Sequence, residues 1–126
     1  MQANRSRSRW QSFRHAFAGL WYVLRTQRNA WIHAGITILV ILLGWWLGLN
    51  RYDWTLITIA ICFVWLAEII NTALEAITDL ASPEQHPLAR VGKDVGAGAV
   101  LLASITAIIV GFLILLPPLL EKLTHG

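Results

Sequence analysis

The sequence predicts an all-α membrane protein, with an N-terminal amphipathic surface helix followed by three membrane-spanning helices. Three observations carry this. The 126 residues are 56% hydrophobic and only 13% charged, too apolar for a water-soluble domain of this length. The excess is gathered into three stretches that approach the roughly 20 residues a helix needs to cross a hydrocarbon core of about 30 Å. A fourth segment, ahead of them, has apolar residues on one face only.

Residues 1–11 are polar and Arg-rich and read as a flexible basic tail, with 12–126 as a single membrane domain. The net charge of +3 is concentrated in this N-terminal region, which suits anionic lipid headgroups and not nucleic acid. No cleavable signal peptide is expected, because no short apolar core precedes a small-residue cleavage site. Over 12–28, Phe13, Phe17, Leu20 and Leu24 recur at helical spacing, with Arg14, Arg25 and Arg28 on an adjacent face. Such a helix lies in the membrane interface, with the arginines anchoring it to headgroups.

The spans are expected at about 31–49, 54–80 and 95–118. Trp31, Trp45, Trp46 and Trp54 mark span ends, as aromatic belts do. Gly48-Leu49-Asn50-Arg51 is a tight link between antiparallel helices, and Pro83 and Pro87 stop the second span in an aqueous loop. In the third span Gly96, Ala99, Ala103, Ala107 and Gly111 form a small-residue stripe that lets helices approach closely. Cys62 stands alone in an apolar run and reads as packing. Six arginines precede the first span, and Arg90 and Lys93 follow the second. The positive-inside rule therefore places the N-terminus and the 80–94 loop in the cytoplasm.

The second span is the anomaly, because Glu68, Asn71, Thr72, Glu75 and Asp79 fall on one stripe of it. Glu68 lies roughly 20 Å from the outer end and Glu75 roughly 30 Å, at a rise of 1.5 Å per residue. A carboxylate inside a membrane is costly and marks a functional site by default. At its depth Glu68 meets a lipid hydroxyl and is placed to accept its proton. Glu75, nearer water, can hold Mg²⁺, which takes one or two carboxylates plus substrate phosphates. Lys93 and Asp94 follow the loop, where Lys93 can neutralise phosphate charge.

Plainer readings stand beside these. Glu68, Asn71 and Glu75 could form a buried polar network that fixes helix register. Thr72 could bond back to its own helix, and Asp79 could merely keep the helix end in water. His33 and His86, each alone at a helix end, read most simply as interface or capping residues.

The run E-I-I-N-T-A-L-E-A-I-T-D at 68–79 and the loop S-P-E-Q-H-P-L-A-R-V-G-K-D at 82–94 resemble the prokaryotic diacylglycerol kinase family. R-N-A-W-I-H at 28–33 and the S-P-E-x-H-P loop are more similar to its undecaprenol kinase branch. The resemblance implies a homotrimeric lipid kinase of the bacterial cytoplasmic membrane, using ATP and Mg²⁺, with a site shared between protomers and completed by the surface helix. It implies Glu68 as general base, Glu75 as metal ligand, and Asn71 and Lys93 as contacts to the transferring phosphate. Glu84, Gln85, His86, Lys93 and Asp94 would border the nucleotide. The family places a second metal-binding glutamate just before R-N, where this chain has Gln27. An amide oxygen there can ligate Mg²⁺ without supplying charge. A proton-coupled transporter, or a noncatalytic membrane subunit, are the alternatives that the residues leave open.

Overall fold

The computed structural model describes residues 8–126. It consists of four helices: α1 (Arg9–Thr26), α2 (Arg28–Leu47), α3 (Arg51–Ala81) and α4 (Pro87–His125). The last three are long and apolar enough to cross a membrane. No strand occurs among the described residues.

Local chemistry sets each boundary. Ser8 and Gln11 form a capping box, each side chain bonded to the other's backbone N–H. This cap starts α1 at Arg9, within the stretch expected as tail; the rest of that stretch, 1–7, lies outside the described residues. Gln27 interrupts the chain in extended conformation, closing α1 and opening α2. Gly48 ends α2 in the left-handed region, at φ 69°, where glycine carries no Cβ penalty. Asn50 then caps α3, its side chain accepting from the N–H groups of Tyr52 and Asp53 at 2.9 Å each.

After Ala81 the chain turns through Ser82–His86. The Ser82 hydroxyl donates to the Glu84 carbonyl, and the His86 Nδ1 accepts from the Leu88 N–H at 3.1 Å. His86 is therefore the N-cap of α4, with Pro87 at the first helical position. The helix continues past the expected end of the third span, through Pro117 and Pro118 to His125. Each proline removes an intrahelical hydrogen bond, a loss that membrane helices tolerate when packing holds the backbone.

α3 packs along α4, and its inward stripe is Ile57, Ala60, Val64, Glu68, Asn71 and Thr72. Gly96, Val100, Ala103 and Leu115 are the buried residues of α4. The five members of the predicted small-residue stripe thus divide: Gly96 and Ala103 are buried, Ala107 and Gly111 half-buried, and Ala99 exposed. On α2, Ala30 and Gly44 are buried and His33, Thr37 and Val40 half-buried, a stripe at helical spacing. Most large apolar side chains face outward, the arrangement of helices solvated by lipid. Phe13 and Phe17 of α1 are likewise exposed, as an interfacial helix requires.

Candidate active site

The polar stripe of α3 forms a column running from the middle of the bundle to the end that carries the Ser82–His86 turn. Its deepest member is Glu68, only 1% exposed. The His33 Nε2 of α2 lies 3.6 Å from Glu68 Oε2, and neither atom has a hydrogen-bond partner. Trp65 meets the His33 ring edge-on, with centroids 6.2 Å apart. Its indole N–H donates to Thr37 Oγ1 at 3.1 Å, which ties α3 to α2 one turn from the histidine.

One turn on, the Thr72 hydroxyl donates to the Glu68 carbonyl at 2.8 Å, the local back-bonding that its position on the helix allows. Asn71 is buried, and its Nδ2 donates to Glu75 Oε1 at 3.1 Å. Its Oδ1 is buried without a partner. Gly96 of α4 faces this amide so closely that a Cβ there would collide with Oδ1. The placement of the Asn71 amide between α3 and α4 therefore depends on glycine at this position.

At the outer end Lys93 Nζ pairs with Asp79 Oδ1 at 2.5 Å. Lys93 lies beyond the apolar run that begins at Val95, and the hydrogen bond to Asp79 raises its ammonium above the usual lysine range. Asp94 pairs with Arg90 at 3.9 Å on an exposed surface. Glu84, Gln85 and His86 are exposed on the turn beside them.

Gln27 sits at the α1–α2 junction, half-buried, its amide donating to Thr26 Oγ1 at 3.4 Å. Among the described residues no three His, Cys, Asp or Glu side chains converge as a metal cage. The donors present fit Mg²⁺ nonetheless. The Glu75 carboxylate is half-buried and engaged at one oxygen only, and a substrate-borne Mg²⁺ takes one or two carboxylates beside phosphate oxygens.

This column of a buried carboxylate, an amide, a second carboxylate and a lysine–aspartate pair sits in a chain whose residues 14–115 match the model of the prokaryotic diacylglycerol kinases. The chain belongs to the prokaryotic diacylglycerol kinase family. Within that family it is 46% identical over 111 residues to a diacylglycerol kinase of Synechocystis sp., covering 87% of this chain and 63% of that protein. The chain thus spans somewhat less than two thirds of that relative's length. It is 38% identical over 110 residues to the undecaprenol kinase of Bacillus subtilis, covering 87% of this chain and 89% of that one. To the diacylglycerol kinase of Escherichia coli (strain K12) it is 33% identical over 95 residues, covering 70% and 78%. The family's relatives therefore carry two different lipid alcohols in their names.

The polar column has one element that sequence spacing did not reveal, the approach of His33 to Glu68. The two residues are on separate helices, and only the buried periodicity of Ala30, His33, Thr37 and Gly44 could have placed His33 on the inner face of α2.

Proposed function

We propose that the protein transfers the γ-phosphoryl group of ATP to the hydroxyl of a membrane lipid alcohol, diacylglycerol or undecaprenol, at the cytoplasmic membrane surface. The observation that carries the reading is Glu68, a carboxylate with an unpartnered oxygen inside an apolar bundle. Such a group is placed to accept the proton of an alcohol that reaches it through lipid.

In the proposed reaction the lipid hydroxyl loses its proton to Glu68 as its oxygen attacks the γ-phosphorus. ADP leaves with the electron pair of the bridging oxygen. Asn71 orients the transferring phosphate, with Lys93 exchanging Asp79 for phosphate oxygens as the nucleotide arrives. Glu84, Gln85, His86 and Asp94 border the nucleotide from the cytoplasmic turn. Glu75, with Gln27 as a neutral second ligand, would hold Mg²⁺, whose contribution is to neutralise charge on the β- and γ-phosphates. The functional unit is a homotrimer in the bacterial cytoplasmic membrane, with the N-terminus and the 80–94 loop inside.

The test is phosphate transfer from γ-labelled ATP to undecaprenol and to diacylglycerol, side by side, with purified protein in mixed micelles containing Mg²⁺. Label in either lipid supports the reading and ranks the acceptors. Label in neither, with folded protein and an active control enzyme, overturns it.

A further inference from the structure

His33 lies half-buried on the inner stripe of α2, and the reaction as written leaves it without a task. Its Nε2 and the Glu68 Oε2 face each other at 3.6 Å, both buried and both without a hydrogen-bond partner. Buried polar atoms are almost always paired, and leaving two of them facing one another is costly. The gap is too long for a hydrogen bond, yet a small side-chain rotation closes it. Trp65 abuts the ring edge-on and is itself tied to Thr37, on the same helix as His33. His33 also lines an apolar cavity of about 540 Å³ between α2, α3 and α4, with Ile36, Val40, Val64 and Ile108 among its neighbours. In so dry a setting a charge-assisted hydrogen bond is strong and a carboxylate without one is poorly oriented.

We propose that His33 is a positioning residue for Glu68. With its proton on Nε2 the imidazole donates to Glu68 Oε2 and fixes the plane of the carboxylate. Oε1 is then aimed at the lipid hydroxyl, whose O–H bond breaks toward it as the new O–P bond forms and ADP departs. His33 touches neither lipid nor phosphate; it acts through Glu68. The inference rests on the lipid kinase reading for its consequence, and on the geometry of the pair for its substance.

The test compares His33→Leu, which removes the donor, with His33→Gln, which restores an N–H near the Nε2 position. His33→Leu is expected to lower kcat about 30-fold, the order found for groups that orient a first ligand, with KM for ATP within about twofold of the parent. His33→Gln is expected to recover most of the lost turnover. Unchanged kcat in His33→Leu, or equal loss in both variants, would overturn the proposal. A second readout needs no turnover: in protein labelled with ¹⁵N-histidine in lipid bilayers, the His33 Nε2 resonance is expected to move when Glu68 becomes glutamine. An unmoved resonance overturns the proposal even if both variants misfold. If the parent protein transfers no phosphate, the kinase reading falls, and the spectrum still decides whether His33 engages Glu68.

Discussion

Gly96 of α4 is seated against the carboxamide of Asn71 on α3, and the Asn71 amide in turn holds Glu75. The absence of a side chain on one helix thus sets the aim of two polar groups on the other. Gly96→Ala would drive a methyl into Asn71 Oδ1 and displace the amide from Glu75. Overpacking of this kind costs about 1–3 kcal/mol, and we expect at least a tenfold loss of kcat with the fold retained. Steady-state kinetics beside thermal unfolding in detergent checks this; full activity in Gly96→Ala would mean that the Asn71 orientation is irrelevant to transfer.

The Lys93–Asp79 pair occupies the end of the column where nucleotide is proposed to bind. The hydrogen bond to Asp79 raises the Lys93 pKa above its ordinary value of 10.5. The lysine of the pair is therefore charged at neutral pH, and its contribution is lost as pH rises through the raised value. Lys93→Met is expected to raise KM for ATP about tenfold, the scale of one charge-assisted hydrogen bond. Asp79→Asn, which releases the lysine, is expected to lower that KM a few-fold. Initial rates over a range of ATP concentrations test both, and an Asp79→Asn enzyme with a raised KM would show that Asp79 itself supports nucleotide binding.

Gln27 supplies an oxygen without charge at the junction of α1 and α2. Gln27→Glu adds a carboxylate, the harder ligand for Mg²⁺, and is expected to lower the magnesium concentration for half-maximal transfer several-fold. A magnesium titration that superimposes on the parent's would remove Gln27 from the ligand set.

Glu68 is a liability to the fold if it is an asset to the reaction. Its Oε2 is buried without a partner, and an unsatisfied buried group costs about 1–3 kcal/mol. Glu68→Gln keeps the shape, removes any charge and offers an N–H to the site. Its thermal midpoint is expected to equal or exceed the parent's. A marked fall would indicate that the carboxylate serves chiefly as a structural anchor.

Much of this was legible in the sequence, and the exceptions have physical causes. The stripe from Glu68 to Asp79 follows from helical periodicity alone, as does the buried aspect of Glu68 in an apolar span. The Asn71–Glu75 contact is an i, i+4 pair on one helix, and Thr72 bonding to its own backbone was one of its foreseen roles. The start of α1 at Arg9 hinged on the Ser8–Gln11 box, whose polar residues otherwise read as tail. The continuation of α4 beyond Pro117 and Pro118 runs against proline's local preference, and a contact across the bundle, Lys122 Nζ donating to the Trp46 carbonyl at 2.8 Å, joins its far end to α2. His33 meeting Glu68, and Lys93 meeting Asp79, join separate helices; periodicity gives the face of a residue but not its partner across the bundle.

The central claim is that Glu68 takes the proton of a lipid alcohol during phosphoryl transfer, and the direct test is single-turnover transfer in the parent and in Glu68→Gln at saturating ATP and Mg²⁺. The account predicts that the variant still binds nucleotide but loses transfer by at least about 100-fold, as removal of a general base should. Transfer at the parent's rate by Glu68→Gln would contradict it.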